Sequence, residues 1–374
     1  MKRFIYADNA ATTQLDIDAF EAMKPYLLKE YGNASQSYSF ARIAKKALEN
    51  SRKIIAQCIG AEPEEIFFTS GGTESNNWAI KGTAFSTSTQ HAFITSTIEH
   101  HAILRPCADI KKMGYPILYL PVDSTGTVDI ETLSEHITSN CCMVSIMTAN
   151  NEIGSIQNIS ALAAIAHYYG AIFHTDAVQA VGHIEIDVNS LHVDMLSASA
   201  HKFNGPKGVG FLYIRKNTPL VPFVSGGGQE HYMRAGTENV ASIVGMATAL
   251  NKNVATIKDT AEHLALLENR LLTRLSGANI RFSRNGSDAH IPGNLSLSFP
   301  GYSGEALMHR LDLMGICVST GSACNNKETQ ISHVLQAISL EPLLAKGTIR
   351  LSLGKNNSET DIDMIVEALQ RILK

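Results

Sequence analysis

The sequence has no long run of apolar residues. Its opening stretch, MKRFIYADNAATTQ, lacks the continuous apolar segment of a signal peptide, and no later stretch approaches the ~20 apolar residues of a membrane-spanning helix. Charge of one sign is not in excess either, because the formal net charge over 374 residues is only −4. These absences predict a cytoplasmic protein that neither enters a membrane nor binds nucleic acid through its overall charge.

Cysteine is also scarce, and the six cysteines show no Cys-x-x-Cys spacing of the kind found at metal sites and redox pairs. We therefore predict no metal site and, without an export signal, reduced thiols. Five cysteines lie in apolar or mixed segments, where this residue acts as a small hydrophobic side chain: Cys58, Cys107, Cys141, Cys142 and Cys317. Cys324 differs, since VSTGSACNN surrounds it with small and polar residues. We predict that Cys324 lies in an exposed loop just ahead of a helix.

Strand-like runs alternate with helical patterns through most of the chain. The strand-like runs include EIFFTS, HAFITS, CCMVSIMTA, AIFHTD, VDMLSAS and GVGFLYI, with helical stretches such as ALAAIAHYYG between several of them. This alternation is typical of a mostly parallel sheet that helices cover on both faces. After a long helical pattern that begins near residue 239, half-exposed strands (NLSLSF and TIRLSLG) alternate with helices. We expect a second, α+β domain to start near residue 257.

Ligands of parallel sheets bind where loops leave the carboxyl ends of strands, so the residues after each strand are candidates. GGTES follows EIFFTS. Its glycines and the N-terminus of the next helix would suit a phosphate, although a capped strand-to-helix turn explains the same residues. Asp176 follows AIFHT, and an acid in this position is uninformative alone.

Lys202 follows VDMLSAS and precedes a glycine-proline loop. Lysines are usually solvated surface charges, but a lysine at the mouth of a cleft can also form a Schiff base. A phosphate site, an acid and a lysine would lie along the same rim of the sheet. Pyridoxal phosphate needs these three groups, for its phosphate, its pyridine nitrogen and its aldehyde. We therefore predict pyridoxal 5'-phosphate as the cofactor.

Eight segments along the chain make this interpretation more specific. They are YADNAATT, FFTSGGTESNNWAIKG, NNEIGSIQ, HTDAVQAVG, SASAHKFNGPKGVGFLY, GGGQEHYMRAGTEN, STGSAC and IRLSLG. Their order resembles that of the cysteine desulfurases of the NifS/IscS type, in the class V aminotransferase family. The resemblance implies the fold-type I pyridoxal-phosphate architecture. We expect a large domain with a mostly parallel seven-stranded sheet at residues 15–256, and a small α+β domain from residues 1–14 and 257–374.

The resemblance also implies roles at the cofactor ring. Lys202 would bind the cofactor's aldehyde and move protons at the substrate Cα, and Asp176 would keep the pyridine nitrogen protonated. His100 would stack on the ring and act in acid–base chemistry. Without the resemblance we would interpret His100 as a capping histidine at a helix start. Gln179 would contact the phenolic oxygen of the ring, and Asn151 is expected beside the cofactor as well.

The resemblance also implies residues that bind the cofactor's phosphate and residues that bind the substrate's carboxylate. The residues expected at the phosphate are Gly72, Thr73, Ser199 and His201, with Thr237 reaching the phosphate of the other subunit of a homodimer with shared active sites. Arg350 would bind the substrate carboxylate, for which a forked guanidinium is suited. Asn33 and Asn151 would assist Arg350.

The implied reaction converts L-cysteine to L-alanine, and the Cys324 thiolate, in a loop at about residues 320–333, takes the sulfur as a persulfide for an acceptor protein. A selenocysteine lyase, or another pyridoxal-phosphate lyase or aminotransferase, would keep the same cofactor residues. A cofactor-bearing interaction protein would be free to lose them, and a P-loop nucleotide site would need a lysine that TSGGTES lacks. The acceptor stays open among iron–sulfur scaffolds, tRNA-thiolation enzymes and DNA-modifying systems.

The chain departs from the family pattern in three places. Ala34 and Ile331 occupy positions where proline is common, and Tyr38 occupies one where histidine is common. Scaffold-binding members often extend further than Lys374, so we do not expect docking to an iron–sulfur scaffold through such an extension.

Overall fold

The computed structural model describes residues 4–87, 89–320 and 331–373. The strands of these residues are β1 (Ile5–Tyr6), β2 (Ile66–Thr69), β3 (Ala92–Ser96), β4 (Ile117–Leu120), β5 (Cys141–Ser145), β6 (Ile172–Asp176), β7 (Met195–Ser199), β8 (Gly210–Ile214), β9 (Ser283–Asn285), β10 (Asn294–Ser298), β11 (Ile316–Cys317) and β12 (Thr348–Ser352). The helices are α1 (Ile17–Leu28), α2 (Ala41–Ile59), α3 (Gly72–Ser86), α4 (His101–Lys112), α5 (Ile130–His136), α6 (Ile159–Tyr168), α7 (Val240–Ala255), α8 (Ile257–Gly277), α9 (Gly304–Leu313), α10 (His333–Ala337), α11 (Pro342–Lys346) and α12 (Glu359–Leu373).

Seven strands form the main sheet, in the order β2-β8-β7-β6-β5-β3-β4. The pairs from β7 through β6, β5 and β3 to β4 are parallel, and β8 runs antiparallel to both of its neighbours, β7 and β2. All five residues of β7 and of β8 are buried, as expected of a sheet with helices on both faces. The predicted mostly parallel seven-stranded sheet is confirmed.

The direction of these strands brings several loops to one edge of the sheet. β2 is antiparallel to β8 and therefore parallel to β7, so the carboxyl ends of β2, β3, β5, β6 and β7 meet at the same edge. The start of α3 follows β2, the start of α4 follows β3, and a 3₁₀ turn, Ala200–Lys202, follows β7. This edge is where a ligand is expected in a parallel sheet.

A smaller unit is built around a three-stranded antiparallel sheet in the order β12-β10-β9, beside which β1 and β11 pair in parallel. Its own apolar core joins the inward faces of β10 and β12 to α8, α9 and α12. The N-terminal segment contributes Ile5 and Ala7 to this core. The α+β character predicted for this part of the chain is confirmed, and the domain bounds remain a prediction.

The segment that contains α10 packs away from the core of the smaller unit. Val334, Leu335 and Ile338 form a separate apolar cluster with Ile98 and Met147, which follow β3 and β5 of the large sheet. No helix in the described ranges is both long and apolar enough to cross a membrane.

Candidate active site

A cavity of about 650 Å³ lies at the carboxyl ends of the parallel strands and reaches β12 of the smaller unit. It brings together ten of the predicted site residues: Gly72, Thr73, His100, Asn151, Asp176, Gln179, Ser199, His201, Lys202 and Arg350. These residues come from segments far apart in the chain. The sheet topology, rather than local sequence, therefore assembles this cavity.

Asp176 is the last residue of β6 and is only 4% exposed. Its Oδ1 accepts a hydrogen bond from the backbone N–H of Val178 at 3.0 Å, and its Oδ2 accepts one from Asn76 Nδ2 at 2.6 Å. Two donors thus fix the orientation of the carboxylate. Sequence reasoning missed Asn76, although it follows Thr73 by one helical turn of α3 and so shares its face.

Lys202 ends the 3₁₀ turn after β7, and its Nζ donates hydrogen bonds to the carbonyl oxygens of Ala10 at 2.6 Å and Ala11 at 2.8 Å. Burial lowers the pKa of Lys202 to about 8, and the positive charge of Arg350 contributes in the same direction. Asp176 and Asp8 act against this shift. A lysine with an ordinary pKa of about 10.4 has almost no neutral amine at pH 7, so this shift makes Lys202 a better nucleophile and base.

The imidazoles of His100, His101 and His333 lie along one side of the cavity. His100 caps α4, because its Nδ1 accepts a hydrogen bond from the N–H of Ala102 at 3.1 Å, and it also lines the cavity. Burial lowers the pKa of His100, as do Lys202 and His101, whereas Asp176 raises it. The capping and cavity interpretations of His100 therefore both describe the same side chain.

His333 is the third imidazole, and sequence reasoning did not select it. Its Nε2 donates a hydrogen bond to the carbonyl oxygen of Glu99 at 3.0 Å, and its ring centroid lies 5.0 Å from that of His101. Burial lowers the pKa of His333. The histidine side of the cavity thus joins the start of α4 to the start of α10.

The start of α3 forms one end of the site. Gly71 has φ of 143°, and no side chain caps the helix, so the first N–H groups of α3 are available to an anion. Ser199, His201 and Thr12 line a recess of about 300 Å³ with Gly71 and Gly72. A Cβ on Gly72 would lie 2.5 Å from Cγ2 of Val178, so the recess requires glycine there. With Asp176 and Lys202 nearby, these residues fit the phosphate, ring nitrogen and aldehyde of pyridoxal phosphate.

Arg350, on β12, forms the opposite end. Its Nη2 donates to Asp8 Oδ1 at 2.6 Å and its Nη1 donates to the carbonyl oxygen of Asn151 at 3.1 Å. Among the described residues Nε is buried without a partner. Two of the five guanidinium N–H groups are used in these contacts, which leaves three for a ligand carboxylate.

Glu152 is a further buried acid at this end that sequence reasoning missed. It lines the cavity, and its Oε2 accepts a hydrogen bond from Ser332 Oγ at 2.5 Å. Burial raises the pKa of Glu152 to about 7, although the Ser332 hydrogen bond and the charge of Arg350 lower it. The NNEIG segment that suggested Asn151 also contains this carboxyl group.

Two of the described predicted residues do not line the cavity. Asn33 lies in a turn in which its Oδ1 accepts a hydrogen bond from the N–H of Ser35 at 2.9 Å. Thr237 lines a separate cavity of about 130 Å³ beside Arg234 and Glu230. Cys324 lies outside the described residues. No group of three or more potential ligands within the described ranges is arranged to hold a metal ion.

The fold and the cavity define the class of fold-type I pyridoxal-phosphate enzymes. Residues 5–365 match the model of the family described as Aminotransferase class-V, so the chain belongs to that family, on the branch that contains the NifS/IscS-type cysteine desulfurases.

Individual relatives match over almost their whole length. The chain is 47% identical to a protein named cysteine desulfurase IscS from Dictyoglomus turgidum, over 100% of this chain and 95% of that one. It is 43% identical to a protein of the same name from Methanosarcina thermophila, over 99% and 92% of the two chains. Among solved structures, a NifS-like protein has a TM-score of 0.94 at 37% identity, with 99% of each chain covered. The structure titled SspA in complex with cysteine has a TM-score of 0.84 at 35% identity, with 95% of this chain and 100% of that chain covered.

Proposed function

We propose that this protein is a pyridoxal-phosphate-dependent cysteine desulfurase that converts L-cysteine to L-alanine and transfers the sulfur to Cys324 as a persulfide. The observation that carries the proposal is the placement of Lys202, its pKa lowered to about 8, in the cavity that also contains Asp176 and Arg350. Relatives named cysteine desulfurase, which match nearly the whole chain, support the choice of reaction.

Pyridoxal phosphate, when bound, supplies an electron-withdrawing ring that stabilises negative charge at the Cα of an amino acid. Asp176 would pair with the pyridine nitrogen, because Asn76 and the N–H of Val178 hold its carboxylate in one orientation. The first N–H groups of α3, with Ser199 and His201, would hold the phosphate. Gln179 lines the same cavity as Asp176 and would contact the phenolic oxygen of the ring.

Arg350 would bind the carboxylate of L-cysteine with its remaining N–H groups, and the backbone of Asn151 fixes the guanidinium. The neutral amine of Lys202 would take the Cα proton of the substrate. His100 lines the same cavity, and its lowered pKa keeps the imidazole neutral near pH 7. Because Nδ1 accepts from the N–H of Ala102, Nε2 carries the hydrogen and would be the donor toward the bound groups.

The sulfur step balances without an external oxidant. The thiolate of Cys324 attacks the sulfur of L-cysteine, an S–S bond forms, and the substrate C–S bond breaks with its electron pair left on carbon. That carbon takes up a proton, so the products are L-alanine and the Cys324 persulfide. The persulfide would then pass its terminal sulfur to an acceptor protein.

We also propose that the protein is a homodimer and acts in the cytoplasm. The residues Ile17, Leu27, Leu28, Tyr31, Tyr38, Phe40 and Ile43 are all exposed apolar side chains within a short part of the chain, and apolar surface of this kind is typical of an interface. Thr237 and Asn33 lie outside the cavity of their own chain, which is compatible with a role in the partner's cavity. The five described cysteines are free thiols, as expected in a reducing compartment.

The test is product formation by the protein loaded with pyridoxal phosphate, with L-cysteine and a reducing thiol. We expect equal amounts of alanine and sulfide, and we expect Cys324→Ala to lose both while it retains the yellow cofactor. Cys317→Ala is the matched control and should remain active, because burial raises the pKa of Cys317 and makes it a poor nucleophile. Products that persist in Cys324→Ala would indicate a general lyase, and turnover of selenocysteine alone would indicate a selenocysteine lyase.

A further inference from the structure

His183 follows the HTDAVQAVG segment and contacts the backbone of the cavity lysine. Its Nε2 lies 2.8 Å from the carbonyl oxygen of Lys202. The ring does not line the cavity that contains Lys202 Nζ; it lines a second cavity, of about 320 Å³, together with Asn253 and Lys355. His183 is therefore placed to act on Lys202 through its peptide rather than through its amine.

The hydrogen bond fixes the tautomer of His183. A carbonyl oxygen can only accept, so Nε2 must carry the hydrogen. Burial lowers the pKa of His183, and the charges of Lys202 and Lys355 lower it further, whereas the bond to the Lys202 carbonyl raises it. Near pH 7 the ring is neutral and donates through Nε2.

The 3₁₀ turn Ala200–Lys202 is held in place by hydrogen bonds to the carbonyl oxygens of its three residues. The oxygen of Ala200 accepts from the N–H groups of Phe203 and Gly205, and the oxygen of His201 accepts from the N–H and Oγ1 of Thr13. Within the described residues, His183 supplies the one donor to the oxygen of Lys202. Removing that donor leaves the third carbonyl of the turn without a partner.

The position of the Lys202 amine depends on this turn. Nζ donates to the carbonyl oxygens of Ala10 and Ala11, and Gln179 Nε2 donates to the same Ala10 oxygen at 2.9 Å. A rotation of the Lys202 peptide would carry Nζ away from these acceptors and out of the fields of Arg350 and Asp176. We propose that His183 is a positioning residue that fixes the Lys202 peptide and so keeps its amine in place in the cavity. The relevance to catalysis rests on the proposed function.

The test compares His183→Gln with His183→Asn. A glutamine can present its N–H group at about the distance from Cα of a histidine Nε2, whereas the amide of asparagine is one bond shorter. We expect His183→Gln to resemble the wild type. In His183→Asn we expect the pKa of Lys202 to rise by about one unit toward its ordinary value, and kcat for L-cysteine to fall on the order of tenfold with little change in KM, because Arg350 is untouched.

Two measurements report the protonation of the Lys202 nitrogen. The pH dependence of acylation of Lys202, measured by peptide mass spectrometry, reports its pKa in the full chain without cofactor. In the loaded protein, the pH at which the visible absorbance changes would report a separate pKa, that of the Lys202 nitrogen when it is bonded to the cofactor's aldehyde. His309→Asn is the matched control, because the side chain of His309 is 65% exposed on α9.

Each outcome decides the proposal. A lower Tm in His183→Asn with an unchanged pKa of Lys202 would mean that His183 only stabilises the fold, and no change at all would also overturn the proposal. If His183→Gln changed the pKa of Lys202 and kcat as much as His183→Asn does, the hydrogen bond to the Lys202 carbonyl would not be what positions the amine. If the wild type did not turn over L-cysteine, the proposed function would fail, and the acylation profile would still test His183.

Discussion

Burial is the main reason that the pKa of Lys202 is lowered, and nearby charges of both signs adjust it further. Arg350 lowers the pKa of Lys202, whereas Asp176 and Asp8 raise it. Asp8 also pairs with Arg350 at 2.6 Å and so reduces the field that Arg350 exerts. A substrate carboxylate bound at Arg350 would add a further negative charge and raise the pKa of Lys202. Under the proposed function, binding of an amino acid would therefore help Lys202 to hold the proton that it takes from the substrate.

Glu152 is a buried acid of the cavity whose ionisation destabilises the fold. It is 7% exposed, and burial raises its pKa from 4.5 to about 7. Between those pH values the folded protein binds more protons at Glu152 than the unfolded chain, so stability falls as pH rises through this range. A shift of this size corresponds to about 3 kcal/mol, at about 1.4 kcal/mol per pKa unit.

We predict that Glu152→Gln gains stability relative to the wild type as pH rises from 5 to 8, by about 2–3 kcal/mol. Glutamine keeps an oxygen that can accept from Ser332 but carries no charge to bury. Urea unfolding at the two pH values measures the difference. Glu131→Gln, at an exposed position in α5, is the control and should show no such change. A difference between Glu152→Gln and the wild type that does not depend on pH would contradict the prediction.

At the scale of elements, the turn after Gly228 has an unusual backbone. Glu230, His231 and Tyr232 have φ of 44°, 57° and 66°. These values lie in the left-handed region, which residues other than glycine rarely adopt. Arg52 of α2 holds this turn: its Nη2 donates to Glu230 Oε1 at 2.6 Å, and its guanidinium stacks on Phe68 at 4.3 Å. The N–H of Phe68 also donates to Glu230, at 2.9 Å. A buried ion pair thus offsets the strain of a turn that leads toward Thr237.

We predict that Glu230→Ala destabilises the protein by about 3 kcal/mol, because it leaves the buried guanidinium of Arg52 without its partner. Chemical unfolding measures this loss. Glu21→Ala serves as the control, since the Glu21–Lys24 pair is exposed on α1 and should contribute less than about 1 kcal/mol. Equal effects of the two substitutions would show that the Arg52–Glu230 pair does not stabilise the turn.

The elements also show which parts of the site a sequence can predict. Asp176 ends β6, and Lys202 ends the 3₁₀ turn that follows β7. Strand direction alone therefore puts both residues at one edge of the sheet. The acceptors of the Lys202 amine, Ala10 and Ala11, lie about 190 positions away, and no local pattern indicates them. The same holds for Glu152, whose partner Ser332 lies 180 positions away. Contacts between distant loops depend on the packed fold, and residue spacing does not reveal them.

At the scale of the whole molecule, the two cores are joined around the cavity. Ser319 exchanges backbone hydrogen bonds with Arg350, at 2.7 and 3.1 Å, on one side of the segment that contains Cys324. Ser332, on the other side, bonds to Glu152 of the large sheet's loops. The chain that precedes this segment is therefore attached to Arg350, and the chain that follows it is attached to Glu152, at the same end of the cavity. This attachment explains why residues of both units line one site.

The last prediction concerns the proposed homodimer. Leu28, at the end of α1, and Tyr31 are each 74% exposed, and burying them against a second copy would stabilise the pair by roughly 2 kcal/mol for each side chain. We predict that Leu28→Lys shifts the protein toward monomer in sedimentation velocity and lowers desulfurase activity, since Thr237 and Asn33 would no longer reach a partner's cavity. Leu266→Lys is the matched control, because Leu266 is 70% exposed on α8 of the smaller unit. If Leu28→Lys stayed dimeric, the interface would lie elsewhere; if it became a fully active monomer, each cavity would be complete within one chain.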